Sequence, residues 1–117
     1  MKVVNSITEI NDKNYLLKYG QEFCMPCSIT EDNLSSIENN FSIPFYSTMN
    51  VDEAIEKGYK SLPVIILKTN TIETLDDTGI MMDEEELNNW INNKLGETKW
   101  FLMKDVLMLM NKKQLKW

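Results

Sequence analysis

Apolar and polar positions along this chain follow two rhythms, and the places where one gives way to the other mark its elements. Val3 and Val4 are a short apolar pair, and Tyr15-Leu16-Leu17-Lys18-Tyr19 is a short apolar and aromatic run closed by Gly20. Both predict strands. Between them a polar stretch from residue 6 to 13 carries Ile7 and Ile10 three apart, which predicts one or two helical turns. From Pro26 to Asn40 the period lengthens. Cys27, Thr30, Leu34, Ile37 and Phe41 recur at steps of three and four, one inward face of a helix. Proline suits the start of such a helix, where its missing N–H has no partner to lose. Ile43-Pro44-Phe45-Tyr46-Ser47 predicts a third strand, with Pro44 among its first residues.

The second half repeats the alternation. Asn50, with Glu53 three residues on, has the pattern of a capped helix start, and Gly58 predicts where that short helix stops. Leu62-Pro63-Val64-Ile65-Ile66-Leu67 is the strongest strand signal, apolar on both faces as a central strand is. Thr71-Ile72-Glu73-Thr74-Leu75 alternates, as a hairpin partner with one wet face should. Asp83 and Glu86 cap a last helix whose stripe is Leu87, Trp90, Ile91 and Leu95, ended by Gly96. The order β, short α, β, α, β, α, β, β, α predicts an α/β domain over residues 1–96. It is a mixed sheet of four to five strands with helices on both faces and an antiparallel edge.

Composition narrows the class. At 117 residues, 43% hydrophobic and 26% charged, the chain fits a single soluble domain that can bury a modest core unaided. A net charge of −6 and no basic patch argue against a nucleic-acid partner. No apolar run is long enough to span a bilayer, and Met1-Lys2-Val3-Val4-Asn5-Ser6 lacks the apolar stretch of a signal peptide. A cytoplasmic location is expected. In that compartment thiols are kept reduced, so a lone cysteine pair reads as redox-active rather than as a staple.

That pair is Cys24-Met25-Pro26-Cys27, placed where a strand gives way to a helix. Two intervening residues let both sulfurs meet across the first helical turn, and the N–H groups there favour a thiolate. Cys27 falls on the apolar stripe and is expected to be buried, whereas Cys24 precedes the helix and is expected to be exposed. This polarity makes Cys24 the attacking nucleophile and Cys27 the resolving thiol. Three blander readings stand beside it. A structural disulfide here would close almost no loop. A zinc site needs about four ligands, and the chain has no histidine and no third cysteine. Two inert buried thiols are the last, though the turn context of Cys24 argues against it. No metal and no cofactor beyond the redox-active disulfide is expected.

With these residues in place, the chain resembles the thioredoxin superfamily over about residues 1–96. The resemblance rests on the strand Tyr15 to Tyr19, the Cys24–Cys27 turn, and Ser61-Leu62-Pro63-Val64 opening a central strand. It implies a thioredoxin-like sheet and a cis Leu62–Pro63 bond opposite the cysteines. It also implies a backbone there that pairs with an extended substrate segment. Phe23, Met25, Pro26, Leu62 and Pro63 are the implied substrate-contacting residues, Phe23 as an apolar rim. The implied activity is that of a dithiol electron carrier reducing protein disulfides, itself reduced by a disulfide reductase. The chain departs from the family in several places. Thioredoxins have Trp-Cys-Gly-Pro-Cys and a buried aspartate six residues before the first cysteine; here that position is Lys18, which implies an altered pH profile unless Lys18 is a surface residue. Glutaredoxins have a Gly-Gly-x-x-Asp segment for glutathione; this chain has Asp77 and Asp83 nearby but no double glycine, although its cysteine-to-proline spacing is glutaredoxin-like. Glu22 would oppose a Cys24 thiolate and Lys60 would favour it, and both read equally as surface residues.

Residues 97–117 exceed what that fold requires. Trp100, Met103, Leu107 and Met110 recur at helical spacing, with Trp117 continuing the series, which predicts a C-terminal amphipathic helix. It has three readings: a helix packed on its own domain, a homodimer or partner surface, or a membrane-surface contact through Lys104, Lys112, Lys113 and Lys116. The net charge places the last behind the others. The alternative to an enzyme is therefore a non-catalytic interaction module that uses this helix.

Overall fold

The computed structural model describes residues 1–70 and 72–96, so the predicted helix in 97–117 lies outside the described residues. Five strands form a sheet: β1 (Lys2–Val3), β2 (Asn14–Tyr19), β3 (Phe45–Thr48), β4 (Val64–Thr69) and β5 (Ile72–Asp76). Three helices accompany it: α1 (Met25–Ile37), α2 (Val51–Glu56) and α3 over 84–96. Single 3-10 turns at Ile7–Glu9 and Glu38–Asn40 complete the list. The strand order is β1-β3-β2-β4-β5.

Side-chain parity decides what each face of the sheet buries. Leu16, Phe45, Ile65 and Leu67 meet Leu34 and Ile37 of α1 and Leu87 and Ile91 of α3 on one face. Tyr15, Leu17, Tyr19, Tyr46, Val64 and Ile66 meet Ala54 of α2 on the other. Helices therefore cover both faces, as the apolar runs predict. The buried side of α1 is Cys27, Thr30, Leu34 and Ile37, four of the five stripe residues. Phe41 lies past the helix and stacks on Phe45, with ring centroids 5.8 Å apart.

β1, β3 and β2 are parallel, but β4 already runs antiparallel to β2, so the reversal precedes the final hairpin. The chain re-enters the sheet at the end where it left, with Val64 paired to Tyr19, the last residue of β2. This places the start of β4 at the same end of the sheet as the loop that follows β2.

Predicted boundaries shift by one or two residues for local reasons. β3 begins at Phe45 rather than Ile43, and Pro44 contributes only its carbonyl, which accepts from Leu16 N at 3.0 Å. β4 begins at Val64 because Ser61 to Pro63 form a bend around a cis bond. Gly58, at φ +77°, ends α2 in the left-handed conformation glycine adopts freely. No helix among the described residues is long and apolar enough to cross a membrane.

Candidate active site

β2 ends at Gly20, whose N–H donates to Thr48 O at 2.9 Å and keeps the chain at the end of the sheet. The next three residues turn it into α1, and Phe23 takes the left-handed conformation at φ 57° to do so. Cys24 is the N-cap, with extended backbone, and its Sγ accepts the N–H of Cys27 at 3.2 Å. Its carbonyl accepts from Ser28 N at 3.1 Å, the first turn of the helix. Pro26 lies within that turn, where helical N–H groups have no partner in any case.

Cys24 and Cys27 form a disulfide with Cα atoms 5.2 Å apart, inside the ordinary span for a bridge. Cys27 is 2% exposed, and Cys24 is half-buried. Around Cys24 stand Phe23, fully exposed, Met25 and Met49, an apolar rim on an otherwise acidic molecule. These side chains wall a cleft of ≈ 740 Å³ that also reaches Cys27, Lys18 and Glu31. Of the residues singled out in the sequence, the structure brings Phe23, Cys24, Met25 and Cys27 into this cleft. Leu62 and Pro63 lie at the same end of the sheet, just before Val64, but do not line it, and nor does Pro26. The Leu62–Pro63 bond is cis, as the resemblance implied.

The proline loop is buttressed from behind. Lys60 N donates to Asp77 Oδ2 at 3.1 Å, and a methyl group added at Gly79 would come within 2.8 Å of Ser61 Cβ and 3.1 Å of Leu62 O. Glycine is required there twice over, by that contact and by its φ of +71°. Asp77 thus serves the proline loop. Glu22 lines the cleft, whereas Lys60 does not.

The architecture is shared with solved proteins. A mutant thioredoxin from Halobacterium salinarum superposes with a TM-score of 0.65 at 19% identity, over 79% of this chain and 88% of that one. The chain has the thioredoxin fold. Mitochondrial thioredoxin 3 of Saccharomyces cerevisiae, in its oxidized form, gives 0.62 at 16% identity over 80% and 94% of the two chains. Thioredoxin-2 of the malaria parasite, described as a component of its protein secretion machinery, gives 0.60 at 21% identity over 79% and 92%. No protein-family model matches the sequence, and no curated protein does.

Within this thioredoxin fold, Lys18 is not the surface residue of the alternative reading: it is 2% exposed, and its Nζ lies 3.5 Å from Glu31 Oε1. The Ser47 hydroxyl donates to the same oxygen. Burial holds the Lys18 ammonium below its ordinary pKa, and Glu31 opposes that shift in part. Glu31 and Met49 are cleft residues that sequence reasoning missed. The signal for Glu31 was present, because it follows Cys27 by four residues and so shares its helix face. Lys18 shares strand parity with the buried Leu16. Met49 offered no such signal.

Proposed function

We propose that the chain is a thiol–disulfide oxidoreductase that reduces protein disulfides through Cys24 and Cys27. The observation that carries this reading is a disulfide at the N-terminus of α1 between Cys24, half-buried at the helix cap and lining the cleft, and the buried Cys27. In the dithiol form, the backbone N–H that reaches Cys24 Sγ stabilises a thiolate there. That thiolate attacks a substrate disulfide and forms a mixed disulfide, and the first substrate sulfur leaves as a thiolate that takes up a proton. Cys27 then gives up its proton and attacks Cys24 Sγ, and the second substrate sulfur departs with the bonding electrons. Two electrons and two protons pass to the substrate, and the pair is left as the disulfide seen here.

Phe23, Met25 and Met49 supply an apolar surface for an extended polypeptide, and the backbone at Leu62–Pro63 is the proposed pairing edge. As a reductant the protein works in a reducing compartment such as the cytoplasm. It depends on a disulfide reductase, a flavoenzyme of the thioredoxin reductase type, to return the pair to dithiol. Insulin reduction by dithiothreitol, followed as turbidity, tests the reading. The protein should accelerate precipitation, and Cys24→Ser should bring the rate down to that of dithiothreitol alone. Equal rates for wild type and variant would sink it.

A further inference from the structure

Beneath the buried sulfur lies a charge cluster that the exchange chemistry above leaves unused. Lys18 and Ser47 are register partners on β2 and β3, and both reach Glu31 of α1, one turn beyond Cys27. The Lys18 side chain is 3% exposed and that of Glu31 33%, so a lysine is held below the surface by a carboxylate that touches solvent. Gly20 fixes how near Lys18 comes to the cysteine. A methyl group added at Gly20 would stand 2.9 Å from Lys18 Nζ and 3.2 Å from Cys27 Cβ, so those two atoms are at most about 6 Å apart. Lys18, Glu31 and Cys27 all wall the same cleft. Stability is a poor account of the arrangement, since apolar residues of similar volume commonly serve as well as a buried ion pair.

We propose that Lys18, kept charged by Glu31, is a positioning residue that holds Cys27 as a thiolate for the resolving step. This rests on the reading of Cys27 as the resolving thiol. Cys27 loses its proton to solvent in the cleft, and the sulfur left behind faces a cation in surroundings that exclude most water. It attacks Cys24 Sγ, the Cys24–Cys27 bond forms, and the bond from Cys24 to the substrate sulfur breaks. The substrate leaves with the electron pair and takes a proton from solvent, while Lys18 keeps its own proton throughout. Burial alone would disfavour the Cys27 thiolate, and a cation beside it in the same cleft favours it. The other charged groups are few. Asp32 of α1 favours the ammonium as Glu31 does. Glu22 lies across the same cleft, and Cys24 is the remaining titratable group there. The neighbours of Lys18 on β3 and β4 are Ser47 and Ile65, neither a carboxylate nor an amine.

The test is the titration of Cys27 in the single-thiol Cys24→Ser protein, by thiolate ultraviolet absorbance and by the pH dependence of alkylation. Cys27 should titrate below the ordinary cysteine value of about 8.5 despite its burial. Lys18→Met or Lys18→Gln in that background should raise it by about one unit or more, a tenfold loss of thiolate at neutral pH. Lys18→Arg should keep it low. A Cys27 value at or above about 8.5, or no shift in a folded Lys18→Met protein, overturns the proposal. The Cys24→Ser titration decides even where the Lys18 variants do not fold. Since it reads Cys27 directly, it can fail while insulin reduction succeeds, and the reverse outcome identifies a failure of the carrier reading instead.

Discussion

Thr30 is fully buried on α1, and its hydroxyl has no hydrogen-bond partner among the described residues. A buried hydroxyl without a partner opposes folding, so its removal should not hurt. Thr30→Val should be neutral or stabilising by up to about 1 kcal/mol in chemical denaturation; a loss of that size would mean the hydroxyl has a partner after all. Lys18 presents the contrasting case, a buried polar group paired with Glu31 of α1. It occupies the inward position next along from Leu16, and an apolar side chain there would extend the core. Its neighbour Gly20 is needed for space, since any side chain would press on Lys18 and Cys27 together.

At the scale of elements, α2 is attached to the sheet through Glu53. Asn50 caps the helix as predicted, its side chain accepting Glu53 N at 3.1 Å. The reciprocal half of the expected capping box is not made. The Glu53 carboxylate turns away and accepts from Ser6 Oγ at 2.6 Å, Ile7 N at 2.9 Å and the Tyr19 hydroxyl at 2.6 Å. A capping box does form in the turn Ile7–Glu9, between Ser6 and Glu9. Burial alone would raise the pKa of Glu53, but hydrogen bonds from Ser6, Tyr19 and Ile7 outweigh it and hold the carboxyl below its ordinary value of 4.5. A carboxylate depressed in this way stabilises the fold fully above that value and loses the contribution as pH falls through its folded-state pKa. Glu53→Gln should therefore cost about 1–3 kcal/mol at neutral pH, and the difference from wild type should shrink in acid. A pH-independent difference would contradict the assignment. Sequence pattern could show that Glu53 matters to a cap, but not that it serves three donors on other elements, because those partners meet only once the sheet has formed.

For the whole molecule, periodicity made the elements and both faces of the sheet legible. Buried positions recur at helical steps in α1 and run almost unbroken along β2 and β4, which bury both faces. The direction of β4 was not legible, because the connection between Thr48 and Val64 is long enough for either direction. The burial of Cys27 was legible from the helix stripe, whereas Cys24, expected to be exposed, is half-buried. Lys18 was legible as a departure but not as a buried ion pair, since its partner Glu31 comes from α1 and is itself held by Ser47 of β3. Together these features place a half-buried cysteine, a buried one, a buried lysine and an apolar rim around one cleft. The division of labour between the sulfurs is the central claim, and trapping tests it most directly. Reduced Cys27→Ser protein mixed with a disulfide-bonded polypeptide should accumulate a mixed disulfide through Cys24, seen by mass spectrometry without reductant, whereas Cys24→Ser should accumulate none. An adduct that forms through Cys27, or no adduct in Cys27→Ser, would contradict the account.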